Sequence, residues 1–154
     1  MEPIQRITSF SINHDKLLPG LYVSRVDGDV TTYDMRTRRP NTGDLMDNST
    51  MHSLEHLFAT YIRNGALASR IVYFGPMGCQ TGFYLLVRDA ENETVLREVR
   101  LTLKRILEHE GPVFGASSRE CGNYRNLSTE AAKVEARRYL TELDARPVTF
   151  EYEE

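Results

Sequence analysis

The chain has 154 residues, 40% hydrophobic and 27% charged, with a formal net charge of −3 and two cysteines. That is one domain's length with apolar content sufficient for a core. It excludes a polybasic nucleic-acid binder and, with cysteines 42 positions apart, a disulfide-framed scaffold. No apolar run approaches the roughly 18 residues a membrane span needs. The opening residues Met1 to Arg6 lack an apolar signal core, so a cytoplasmic protein is expected.

In chain order, Leu21 to Val26 and Val30 to Arg36 are β-rich runs joined by Asp27-Gly28-Asp29, a hairpin signal. Pro40 to Asp44 is loop, and Asn48, Ser49 and Thr50 are candidate N-caps for a helix running to Asn64-Gly65. In that helix Leu54, Leu57, Phe58, Tyr61 and Ile62 form one apolar stripe. At about 100° per residue, His52, His56 and Arg63 fall on the other side, with Glu55 at its edge. Ile71 to Phe74 and Phe83 to Val87 read as further strands around Gly75-Pro76-Met77-Gly78-Cys79-Gln80-Thr81-Gly82. Three glycines and a proline in eight residues imply a special backbone path there.

A second helix is expected from about Glu93 to Glu110, with Leu96, Val99, Leu103, Ile106 and Leu107 on its buried face and Gly111-Pro112 as its stop. The loop Val113 to Leu127 carries Cys121. Ser128 caps a third helix with the stripe Ala132, Ala136, Tyr139, Leu140 and Leu143, closed by Arg146-Pro147. The acidic end, Glu151 to Glu154, reads as a solvated tail. Strands come first and helices later without β-α alternation, so the fold class is α+β, a single domain over 1–154 with an antiparallel β-sheet packed against helices.

Two of the four histidines lie one turn apart on the first long helix. Two such imidazoles can reach one transition-metal ion, and the carboxylate of Glu55 is placed to move protons beside it. A polar face with two solvated histidines is the plain alternative. A catalytic metal usually takes three protein ligands and keeps a position open, so a third donor must come from Cys121, Cys79, His14, His109 or a carboxylate. The glycine after Cys121 frees the backbone to present its sulfur. His109 ends a helix, where it would favour the C-terminal dipole. Cys79, in the glycine-punctuated turn, reads equally as a working thiol or as a small buried apolar residue. Two further readings are a His-x-x-Glu-His metallopeptidase and a structural-metal domain with a closed Cys₂His₂ shell. Against the second, paired cysteines two to four residues apart are missing from the sequence.

Taken together, Ser9-Phe10-Ser11-Ile12-Asn13-His14, Tyr33-Asp34-Met35-Arg36, His52-Ser53-Leu54-Glu55-His56-Leu57-Phe58-Ala59, Arg63-Asn64, Gly75 to Tyr84 and Cys121-Gly122 resemble the LuxS family of S-ribosylhomocysteine lyases. The resemblance runs through nearly the whole chain in the family's order. It implies His52, His56 and Cys121 as ligands of a ferrous iron that zinc or cobalt can replace, with no organic cofactor. It implies Cys79 and Glu55 as the acid/base pair, and Ser9, His14, Arg36 and Arg63 as substrate-binding residues. The site would lie between the subunits of a homodimer. The activity implied is cleavage of S-ribosylhomocysteine to homocysteine and 4,5-dihydroxy-2,3-pentanedione, the autoinducer-2 precursor, by carbonyl migration along the ribose and then β-elimination. The chain departs from many members at Gln80, where they carry Arg, at Tyr73, where they carry Asp, and at Asn126-Leu127, where they carry Asp-His. None of these is a metal or acid/base position.

Overall fold

The computed structural model describes residues 2–153. Four strands, β1 (Gly20–Asp27), β2 (Val30–Arg36), β3 (Ile71–Pro76) and β4 (Gly82–Arg88), form one antiparallel sheet in the order β1-β2-β4-β3. Three helices, α1 (Asn48–Ile62), α2 (Asn92–Glu108) and α3 (Thr129–Ala145), complete the expected α+β architecture. No helix among the described residues is long and apolar enough to cross a membrane.

The alternation of β2 and β4 separates the faces of the sheet. Tyr33, Met35, Phe83, Leu85 and Val87 are buried in one core with Leu54, Leu57 and Phe58 of α1, Val99 and Leu103 of α2, and Ala136 and Tyr139 of α3. Phe58 stacks on Phe74 at 4.4 Å and Phe74 on Phe83 at 5.0 Å, a column of rings from helix to sheet. The alternate residues Asp34, Arg36 and Tyr84 lie on the opposite face. Arg36 pairs with Gly82 in register, and a Cβ at Gly82 would stand 2.7 Å from the Met35 carbonyl oxygen. Glycine there lets the strands meet closely at the end of the sheet that carries Cys79.

Several sequence expectations need correction. The cap of α1 is Asp47, whose carboxylate accepts the Thr50 N–H at 2.8 Å, so Asn48, Ser49 and Thr50 form the first turn instead. Helix α2 spans Asn92–Glu108, and its buried face centres on Val95, Val99, Thr102, Leu103 and Ile106, with Leu96 and Leu107 half-buried. His109 is buried as the C-cap residue of α2. Its Nε2–H donates to the Pro112 carbonyl at 2.8 Å, and its Nδ1 pairs with the Tyr61 hydroxyl at 2.7 Å. The acidic end is docked. Phe150 is buried and its carbonyl accepts the Val23 N–H at 2.8 Å, while Tyr152 stacks on Tyr22 at 4.9 Å. Glu154 lies outside the described residues. Ser128 caps α3 as expected, accepting from the Ala131 N–H.

Candidate functional site

Helix α1 turns Leu54, Leu57, Phe58 and Ile62 into the core, and that burial fixes its rotation. His52 and His56, half-buried, are left side by side on another face, their rings 4.7 Å apart and nearly perpendicular. The chain after α2 is tied back to this face. Ser49 Oγ donates to the Asn126 carbonyl, and Ser53 Oγ accepts the Ser128 N–H at 2.8 Å. Ahead of these ties a turn closes with the Glu120 and Cys121 N–H groups both donating to the Ser117 carbonyl at 3.1 Å. It delivers the Cys121 sulfur to 3.3 Å from His52 Nε2. One ligand atom each from His52, His56 and Cys121 lie within 4.8 Å of one another.

The imidazole tautomers follow from their outer partners. His56 Nδ1 faces the Phe114 carbonyl at 2.8 Å, an acceptor, so it carries the proton and Nε2 is left with its lone pair. His52 Nδ1 faces the Asn126 amide oxygen at 2.5 Å with the same result. Two imidazole nitrogens and one sulfur suit a tetrahedral transition-metal ion with its fourth position open. Cys79 stands outside the cluster, so no closed Cys₂His₂ shell forms. Glu55, half-buried beside the histidines, has no hydrogen-bond or ion-pair partner among the described residues, which leaves its carboxylate available to a ligand.

A second group assembles at the end of the sheet. Arg36, 2% exposed, grips the buried Asp34 with Nε at 3.1 Å and Nη2 at 2.8 Å. Asp34 also accepts from the Tyr152 hydroxyl at 2.8 Å. Burial first, then the Asp34 charge, pushes the Tyr152 phenol far above its ordinary value. With two donors committed to Asp34, the remaining guanidinium nitrogen Nη1 reaches Thr81 Oγ1 at 2.8 Å and the exposed Cys79 sulfur at 3.7 Å. Cys79 is therefore not a small buried apolar residue: the thiol is exposed with a cation beside it. Gln80 adopts φ +66° and ties its side chain to the Met46 carbonyl at 2.7 Å, anchoring the turn to the approach of α1.

The other expected residues are more dispersed. Ser9 lies near Tyr84 on the Asp34 face. The His14 ring meets the Ile12 carbonyl at 2.9 Å, and Arg63 is exposed as the C-cap residue of α1. Among the described residues no hydrogen bond or ion pair joins the His52 group to the Cys79 group. Sequence reasoning missed Asp34 and Tyr152 as supports of Arg36, and Asn126 and the Phe114 carbonyl as supports of the histidines. An Asp-x-Arg pair on one strand face was a usable signal for the first. For Tyr152 and Phe114 nothing local existed.

Comparisons with known proteins place the chain among named relatives. The family model described as S-ribosylhomocysteinase (LuxS) matches residues 7–148. A Clostridium beijerinckii protein named S-ribosylhomocysteine lyase is 44% identical over 146 residues, covering 91% of this chain and 92% of its own length. Proteins of the same name from Finegoldia magna and Phocaeicola vulgatus are 43% and 42% identical over 142 and 146 residues, covering 89% and 91% of this chain and 90% and 91% of their own lengths. A triad of His52, His56 and Cys121 in a chain matched from residue 7 to 148 leaves one assignment: the protein belongs to the S-ribosylhomocysteinase (LuxS) family.

Proposed function

We propose that the chain is an S-ribosylhomocysteine lyase, releasing L-homocysteine and 4,5-dihydroxy-2,3-pentanedione from S-ribosyl-L-homocysteine. The convergence of the His52, His56 and Cys121 donors within 4.8 Å carries this reading. His52 Nε2, His56 Nε2 and Cys121 Sγ would hold one divalent metal per subunit, ferrous iron in the cell with zinc or cobalt as substitutes. When bound, it supplies a Lewis acid for the sugar oxygens.

The chain's own residues do the remaining work. Homocysteine can leave only when its sulfur lies β to a carbonyl, so the sugar carbonyl must move from C1 to C2 and then to C3. Each shift takes a proton from a carbon beside the carbonyl and returns it one carbon along. Cys79 and Glu55 exchange these protons, one holding what the other delivers. Removal of the last acidic C–H expels the sulfur, which leaves as the homocysteine thiol once protonated, and the enol left behind becomes the dione. Arg36 keeps a donor on the Cys79 sulfur because Asp34 holds the rest of its guanidinium. Ser9, His14, Arg36 and Arg63 hold the substrate.

The working unit is a cytoplasmic homodimer with each site built between subunits. Supporting this are the separateness of the two groups within one chain and the exposed Ile4, Ile7 and Phe10, which give a second copy an apolar surface. A peptidase reading fares worse, because its metal centres use a carboxylate third ligand where this chain offers the sulfur of Cys121. The test is an anaerobic preparation with metal analysis, followed by free-thiol detection with S-ribosylhomocysteine. Thiol release proportional to bound metal is expected. Peptide hydrolysis without thiol release would replace this reading with the peptidase.

A further inference from the structure

His52 can serve a metal through Nε2 only while its proton sits on Nδ1. A carbonyl or carboxylate facing Nδ1 enforces this, because neither can donate. Asn126 is different: its amide presents an acceptor on one side and a donor on the other. Turned one way, Oδ1 accepts from Nδ1–H and frees Nε2. Turned the other way, Nδ2–H donates to a bare Nδ1 and puts the proton on Nε2, where it blocks the metal. His56 has no such ambiguity, since its partner is the Phe114 carbonyl.

The orientation is set one residue further out. Asn126 Nδ2 donates to Asn48 Oδ1, and Ser49 Oγ donates to the Asn126 backbone carbonyl, fixing the amide's base without constraining its rotation. A turned Asn126 would aim its oxygen at the Asn48 oxygen, two acceptors face to face, so Asn126 turns only if the Asn48 amide turns with it. Asn48 lies in the first turn of α1, one turn before His52, and is exposed. It is not the cap, which is Asp47, so it is not needed to start the helix.

We propose that Asn126 and Asn48 form a two-amide relay that selects the metal-binding tautomer of His52, both acting as positioning residues. The proposal rests on the metal-site reading above and adds a dependence that reading does not require. Replacing Asn126 by Asp removes the ambiguity, because a carboxylate accepts from Nδ1–H in either orientation. Asn48 then has nothing left to select.

The experiment measures the dissociation constant of Co(II) for the full-length metal-free protein by competition with a chromophoric chelator. The Co(II)–thiolate charge-transfer band reports whether Cys121 remains bound, and a thermal melt of the metal-free form reports folding. Asn126→Leu is expected to weaken binding about 10- to 100-fold, the usual cost of losing a group that orients a ligating histidine. Asn126→Asp is expected to bind at least as tightly as the parent. Asn48→Ala should weaken binding about three- to tenfold, the worth of one hydrogen bond. In the Asn126→Asp background the same change should weaken binding by less than about threefold, since Asn48 can still donate to the carboxylate but no longer decides which His52 nitrogen carries the proton. An equal Asn48→Ala effect in both backgrounds, or Asn126→Leu and Asn126→Asp both binding like the parent, would overturn the relay alone. A parent protein that binds no Co(II) would overturn the metal-site reading and the relay with it.

Discussion

Gly115 sits at φ +74°, and a Cβ there would stand 3.2 Å from His56 Nδ1, the atom that the neighbouring Phe114 carbonyl engages. Backbone conformation and contact with a ligand thus coincide at one residue. Gly115→Ala should cost about 1 kcal/mol of stability and should loosen metal binding as well, read by melting and by chelator competition. The cysteines divide in the same measurements. Cys121→Ala should lose both metal and turnover, whereas Cys79→Ala should keep metal and lose turnover; normal turnover in Cys79→Ala would remove the thiol from the mechanism. At this scale the histidine pair was legible because spacing on one helix is local information. Return of Cys121 to it was expected only through the family resemblance, since it depends on where a loop is tied by Ser49 and Ser53. The burial of His109 was not legible for the same reason: its partners, Tyr61 and Pro112, are contributed from outside its helix.

Between elements, the segment from β2 to α1 is held on α3 by charge. Arg38 grips Glu135, whose side chain is 1% exposed, through Nη2 at 2.6 Å and Nε at 3.3 Å, and Asp44 bridges Arg38 and Arg138. This segment leads into the cap of α1, so the network supports the helix that carries the histidines. Glu135→Ala removes one of the two carboxylates on a largely buried guanidinium and should cost about 2 kcal/mol, lowering the melting midpoint by roughly 4–8 °C. The Arg138 hydrogen bond, foremost, holds the Asp44 carboxyl below its ordinary value. A depressed folded value means the unfolded chain takes up this proton first. The contribution of Asp44 is therefore complete above about pH 4 and is lost as pH falls through the folded value. Melting curves between pH 5 and 2.5 should show Asp44→Asn losing less stability on acidification than the parent. The Glu135 contact escaped the sequence reading because a glutamate on an amphipathic face looks solvated until its arginine is known.

At the scale of the whole molecule, the four strands, three helices and their antiparallel pairing were legible from period-2 and period-3.6 patterning and from turn residues. Patterning reports which face is buried, and that is enough to define layers. It does not report what docks late and without period, so Tyr152 was read as part of a solvated tail although it supports Asp34, and Phe150, which completes the β1 edge, was left unassigned. The Asp47 cap was missed because several polar residues in a row can each cap a helix and only the backbone turn decides among them. The resulting molecule sets a two-histidine helix beside a returning cysteine loop, with a second sulfur held apart on the sheet by Arg36. X-ray absorption at the metal edge of the loaded protein tests that arrangement directly. The account requires one sulfur at about 2.3 Å and two imidazole nitrogens at about 2.0–2.1 Å, unchanged by Cys79→Ala. Two sulfurs at the metal, or none, would contradict it.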